Sequence, residues 1–291
     1  MTIDLVVAGK LAIDELSFEG KPHAPVLGGS AAHVAIAAAT LGSNVAIVSA
    51  IGSDFPPNFL RMLESKGIDL SGVRQQPGRS AHFWADFSKN GSMNSYRLHF
   101  GVGNQLSFRT FSDRIRNARA VHLGILPPHL QRALIKRVKG KNKLLSMTTI
   151  FHQAKSLRQE IMPQIPFLDI LFLNSIEAMF LTQLDDPKKA IVHLGEKVPI
   201  VIVTQGSDGC LVNNQGKVQQ VISYRSNEVD VTGAGDSFAG AFLASYLQDS
   251  DIILAAKWGN AAGAINVQGV GCTSLLQANR SKLAKLVFTT K

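Results

Sequence analysis

The sequence predicts an α/β fold, with a central, mostly parallel β-sheet flanked by helices and a small antiparallel β lid. Three observations predict it. Short, nearly continuous apolar runs recur, as strands buried on both faces of a parallel sheet require. Helical periodicity fills many of the gaps between those runs. Two stretches, at about residues 11–27 and 79–106, break the rhythm with short alternating pieces.

Ile3–Ala8 is the first apolar run and is closed by Gly9. Further strand-like runs fall at 45–48, 121–123, 144–145, 170–173 and 200–203. Helical patterns cover 30–41, 58–66, 128–139 and 175–181. Asp186-Pro187 has the form of an N-cap followed by proline at the first helical position. In the second irregular stretch His82, Trp84, Asp86 and Ser88 alternate with Phe83, Ala85 and Phe87, and Lys89-Asn90-Gly91 supplies a hairpin turn. No repeat, low-complexity tract or Pro/Gly-rich linker divides the chain, so one domain over 1–291 is expected, with the lid inserted into it.

The 291 residues are 45% hydrophobic and 18% charged, enough for a large core and too little charge for a disordered chain. The formal net charge is +9, which suits nucleic acid, a membrane surface, an anionic small molecule or simply a basic exterior. The densest basic stretch, Arg132, Lys136, Arg137, Lys139, Lys141 and Lys143, continues a segment with Leu130, Ala133, Leu134 and Val138. A solvated helix face running into a loop accounts for it. Cys210 and Cys272 are far apart and show neither metal spacing nor a disulfide framework. A reducing, cytoplasmic compartment is expected. Residues 1–10, with Asp4 inside the apolar run, read as a strand and not as a signal peptide. No apolar stretch has the length of a membrane span.

The most informative stretch is 229–242, where Gly233-Ala234-Gly235 precedes an apolar helix and Asp236 sits at its start. A helix N-terminus exposes unpaired N–H groups, and small residues let a phosphate approach them. Phosphoryl transfer to an alcohol needs such donors and a carboxylate that takes the hydroxyl proton. Gly233, Ala234 and Gly235 offer the first and Asp236 the second. A turn followed by a helix capped by Asp236 is the structural alternative.

From Asp230 to Phe238 the chain matches D-x-x-G-A-G-D-x-F, and here it resembles the ribokinase-like (PfkB) carbohydrate kinases. Other landmarks of that family follow in order over nearly the whole chain. The resemblance implies that Asp14 binds substrate hydroxyls, and that Gly28 and Gly29 let the backbone approach the sugar. The family usually has Asn where this chain has His33, so His33 is either a substrate ligand or a hydrogen-bonded histidine of a buried helix face. Asn104, in Gly101-Val102-Gly103-Asn104, resembles the segment that closes over the substrate; as residues alone it is a turn asparagine. Asn174-Ser175-Ile176-Glu177 resembles N-x-x-E, which implies that Glu177 organises Mg²⁺ through water, beside Asn174. The same residues make a helix N-cap and capping box, and both readings hold together. Thr204, Gly206 and Gly209 resemble the turn beside the nucleotide phosphates, and Asn260 resembles a residue near the adenine. Val267, Gly269, Gly271 and Asp230 fall where relatives hold a monovalent cation such as K⁺.

The expectation is therefore an ATP- and Mg²⁺-dependent kinase acting on a hydroxyl of a sugar or polyol. A nucleoside or aminopyrimidine kinase is the alternative, since His33, Phe83, Trp84 and Phe87 leave room for a planar acceptor. A non-catalytic sugar-sensing or nucleic-acid-binding relative is a third reading. The partner expected is a small molecule, not a membrane or nucleic acid, and relatives often pair as homodimers through the lid. The sequence has no Walker-A, H-E-x-x-H, G-x-S-x-G or G-x-G-x-x-G motif.

Overall fold

The computed structural model describes residues 2–88 and 93–289. Its main sheet has nine strands. In spatial order they are Lys217–Val221, Cys210–Asn214, Ile200–Thr204, Ile170–Asn174, Leu144–Thr148, Ala118–Leu123, Ile3–Ala8, Val45–Ile51 and Asp69–Gln75. Every pairing from Ile200–Thr204 to Asp69–Gln75 is parallel, and the two strands at the other edge are antiparallel.

The apolar runs are continuous because each strand faces two cores. Leu5 and Val7 enter one core while Val6 and Ala8 enter the other, and Val45 and Ile47 divide from Ala46 and Val48 in the same way. The first core is closed by helices Ser30–Thr40, Ala234–Asp249 and Ile252–Asn266, and the second by Phe108–Ile115, Pro128–Val138 and Pro187–Gly195. Asp186 is the N-cap of the last of these and accepts from the Lys188 amide, with Pro187 at the first helical position, as expected.

The small sheet orders Lys21–Pro22, Ala12–Phe18, Ala81–Phe87 and Met93–His99, with Val26–Gly28 also paired to Ala12–Phe18. Its pairings are antiparallel except that Ala12–Phe18 runs parallel to Ala81–Phe87, because the two strands come from separate stretches of chain and no hairpin joins them. Ala81–Phe87 and Met93–His99 are the expected antiparallel pair, and the Lys89-Asn90-Gly91 turn lies outside the described residues. Leu16, Val26, Ala85 and Phe87 give this sheet its own small core, with Phe18 stacked on Phe87 at 5.5 Å. Among the described residues no helix is long and apolar enough to cross a membrane.

Candidate active site

Helix Ala234–Asp249 is apolar all round over its middle, Ser237 to Ser245, because that part is buried all round, packed between Ser30–Thr40 and Ile252–Asn266. Its N-cap is Gly233, at φ 73°. A side chain there is excluded twice: by the left-handed backbone, and because a Cβ would stand 2.2 Å from the His33 ring. This corrects the capping alternative. Asp236 is not the cap; it sits in the first turn and makes no capping hydrogen bond.

The start of this helix is a wall between two cavities. Gly233 and Asp236 line a small one of about 190 Å³, together with Lys10, Asp14, Gly29, His33 and Phe83. Ala234 and Gly235 line a large one of about 1060 Å³, together with Thr204, Gly206, Gly209, Tyr224 and Asn260. Residues from the N-terminus, the middle and the C-terminal third thus converge on one turn.

The donors expected of that turn need one correction. The Ala234 amide is spent on the Val231 carbonyl at 3.3 Å, because the chain bends back on itself there. Among the described residues the amides of Gly233, Gly235 and Asp236 meet no acceptor, as befits the first turn of a helix.

Burial raises the Asp236 carboxyl to about 7. Asp14 is 1% exposed, and neither of its carboxylate oxygens has a hydrogen-bond partner. Burial, and then the charge of Asp230, pushes it well above the usual carboxylate range. Gly28 does not line the cavity. It lies against Asp14, whose Oδ2 would be 1.9 Å from a Cβ there, so its missing side chain is the space the carboxylate occupies.

His33 bears out the second of its two sequence readings. It is a hydrogen-bonded histidine of a buried helix face, and it also lines the small cavity. Asn266 donates from Nδ2 to the Thr232 carbonyl at 2.8 Å, which orients its amide. Its Oδ1 accepts from Ser237 and lies 3.1 Å from His33 Nδ1. Nδ1 therefore carries the proton, and Nε2, buried without a partner, is left as an acceptor. Burial lowers the His33 pKa, opposed by the Asn266 bond and the charge of Asp230, so the ring is neutral.

Asn174 and Glu177 form the expected capping box at the start of helix Ser175–Thr182. The Glu177 carboxylate accepts from the Asn174 amide (3.2 Å), Asn174 Nδ2 (2.8 Å) and Thr149 Oγ1 (3.3 Å). Burial raises its pKa to about 8; the Asn174 backbone bond opposes this, and the charge of Asp236 adds to it. Neither residue lines either cavity. Asn104 lines neither cavity as well: it ends the turn Gly101–Asn104, which the Val102 amide ties to the Arg79 carbonyl at 3.0 Å.

Thr204, Gly206 and Gly209 sit at the strand–turn–strand of the main sheet edge and line the large cavity, as Asn260 does. Asn260 Nδ2 donates to the Val221 and Ile222 carbonyls, both at 3.1 Å, and so holds the segment that forms the cavity's outer wall. Asp230 is 1% exposed, and its oxygens accept from the Thr232 amide (2.9 Å) and the Gly271 amide (2.8 Å). It thereby ties the glycine turn to the 267–271 loop. Of the aromatic residues expected near a planar acceptor, Phe83 lines the small cavity. Phe87 is fully buried in the small sheet's core, and Trp84 lies stacked on His82 at 5.1 Å.

Sequence reasoning passed over Lys10, His82 and the segment from Ile222 to Val229. The available signal for Lys10 was a lysine inside the apolar stretch from Val6 to Ala12. His82 joins Glu15 at 2.9 Å to Asp54 at 3.0 Å, and so links the small sheet to the loop after Val45–Ile51.

The family model for pfkB family carbohydrate kinases matches residues 3–279. A cytidine kinase of Thermococcus kodakarensis is 34% identical over 250 residues, covering 84% of this chain and 88% of that protein. A deoxyribokinase of Salmonella typhimurium is 29% identical over 290 residues, covering 94% of this chain and 95% of that protein. Among solved structures, a putative ribokinase II from E. coli in complex with ATP and Mg²⁺ superposes with a TM-score of 0.85 at 20% identity. That superposition covers 99% of this chain and 100% of the other. With its glycine turn, its two facing cavities and a family match along almost its full length, the chain belongs to the pfkB family of carbohydrate kinases.

Proposed function

We propose that this protein transfers the γ-phosphoryl group of ATP to a sugar hydroxyl of a nucleoside. The observation that carries this reading is the helix start at 233–236, which presents a carboxylate to the small cavity and backbone to the large one. In the scheme, the acceptor's hydroxyl oxygen forms a bond to the γ-phosphorus while the bond to the β,γ-bridging oxygen breaks. Asp236 takes the hydroxyl proton, and the electron pair leaves with ADP. Free amides at Gly233, Gly235 and Asp236 stabilise charge on the phosphoryl oxygens. Asp14 and His33 Nε2 accept hydrogen bonds from the acceptor's other hydroxyls, which supply the donors these buried atoms lack.

Mg²⁺, when bound with the nucleotide, offsets negative charge on the phosphates. Glu177 fits a role at one remove from it. Three hydrogen bonds already occupy most of its lone pairs, leaving room for one donor such as a metal-held water.

The nucleoside reading is favoured over the free sugar by the cytidine kinase relative and by the aromatic and aliphatic wall of Phe83, Leu98, Phe100 and Ile150. The deoxyribokinase relative, matched over more of the chain, supports a free sugar as the second reading. A screen of cytidine, uridine, adenosine, ribose, deoxyribose and fructose with ATP and Mg²⁺, followed by ADP release, separates them. Nucleoside-dependent turnover is expected. Turnover with sugars alone supports the second reading, and no acceptor-dependent turnover overturns both.

A further inference from the structure

Lys10 lines the small cavity, and the transfer scheme gives it no task. It is 5% exposed, follows the first strand, and lies within the core where that strand meets the small sheet. Its ammonium donates to the Ile125 carbonyl at 3.2 Å and stands 4.0 Å over the Phe100 ring. No ion pair among the described residues includes it. Burying an ammonium without a carboxylate is costly, and burial lowers its pKa to about 7. An ammonium has three N–H groups. One reaches Ile125 and one faces the ring, which leaves a donor for the cavity.

An anion, a hydroxyl, a ring nitrogen or a neutral carbonyl would accept it, and the scheme already gives the acceptor's hydroxyls to Asp14 and His33 Nε2. Asp14 and Asp236 line the same cavity. A phosphate-bearing acceptor would bring its full charge into a cavity where burial already drives both carboxyls toward their neutral forms, with one ammonium to offset it. A neutral carbonyl carries no such desolvation cost. Phe83, Leu98, Phe100, Ile125 and Ile150 also line this space and suit the face of a flat ring. We infer that Lys10 is a specificity-determining residue that donates a hydrogen bond to a ring carbonyl of a planar base. The site then prefers nucleosides whose base carries such a carbonyl, as cytosine does and adenine does not. This inference rests on the nucleoside reading above.

The test is the ratio of kcat/KM for cytidine to that for adenosine, in wild type and in Lys10→Met. A charge-assisted hydrogen bond to one acceptor and not the other predicts that the ratio falls by about ten- to hundredfold in the variant. A ratio within about twofold of wild type overturns the inference. Lys10→Gln keeps a neutral donor and is expected to lie between the two. It decides the matter by the same ratio if Lys10→Met does not fold. A wild-type enzyme that phosphorylates sugars but no nucleoside also overturns the inference and leaves the kinase reading intact. Absence of turnover with any acceptor defeats the kinase reading itself.

Discussion

The two cavities that meet at Gly233 are built by opposite means. The large one is walled in good part by small residues and main chain, among them Gly206, Gly209, Gly235, Gly263 and Ala264. The small one sets the buried polar groups Asp14, His33 and Lys10, with the half-buried Asp236, into a wall of Phe83, Leu98, Phe100 and Ile150. In the proposed scheme a nucleoside triphosphate carries its own charge and metal, so backbone amides and space suffice to receive it. An alcohol carries neither, so the protein must hold reactive charge ready on its behalf. The difference teaches where each half of such a reaction is stored: in chain conformation on the nucleotide side, and in buried side chains on the acceptor side.

The strongest test of that division is Asp236→Asn. Loss of the proton acceptor is expected to lower kcat by about 10²- to 10⁴-fold. Nucleotide binding, measured by calorimetry, should move little, because Asp236 faces the other cavity. A variant that keeps its turnover, or loses nucleotide binding in step with it, breaks the comparison.

Asp14→Asn comes next. An amide keeps one acceptor oxygen but replaces the other with a donor, and it loses the charge. The acceptor KM is expected to rise by about ten- to hundredfold while the KM for ATP stays near its wild-type value. Equal rises in both would mean that the two cavities are not separate in function.

The smallest effect expected is with pH. Asp236 must be ionised to take a proton, and burial raises its pKa to about 7, so kcat should climb by roughly tenfold between pH 6 and 8. Stability runs the other way. The folded carboxyl keeps its proton up to about 7, whereas the unfolded one releases it near its ordinary value of 3.8. The folded state is therefore favoured at low pH, and this contribution is lost progressively as pH rises from about 4 to about 7. Asp236→Asn should consequently raise the Tm more at pH 8 than at pH 5. An equal gain at both values would place the source of the pKa shift elsewhere.

Much of the large cavity's lining could be read directly from the chain. The residues Gly235, Thr204, Gly206 and Gly209, with the N-cap Gly233 beside them, are informative in one dimension, because a turn and a helix start are local events set by which residues tolerate them. The capping box of Asn174 and Glu177 was legible for the same reason. The small cavity was read less well. Lys10 takes its contacts from Ile125 and Phe100, and His33 takes its tautomer from Asn266. None of these pairings leaves a periodic or short-range trace. Gly28 and Asp14 could each be singled out, but not their contact, since the two meet only when Val26–Gly28 pairs with Ala12–Phe18. Asn104 matched a pattern, yet the turn that carries it is tied to Arg79, and Asn104 itself lines neither cavity.

By itself the sequence determined the alternation of strands and helices, the two-sided burial of the main sheet and the glycine turn at the head of an apolar helix. Backbone freedom and side-chain period are properties of neighbouring residues, so they need no knowledge of the rest of the chain. Only the tertiary structure decided which amides stay free, which nitrogen of His33 faces the cavity, and that Lys10 and Asp14 stand buried without a carboxylate or a donor to match them. Those are matters of dielectric and of through-space distance, and they exist only once residues far apart in the chain have closed around the same small volume.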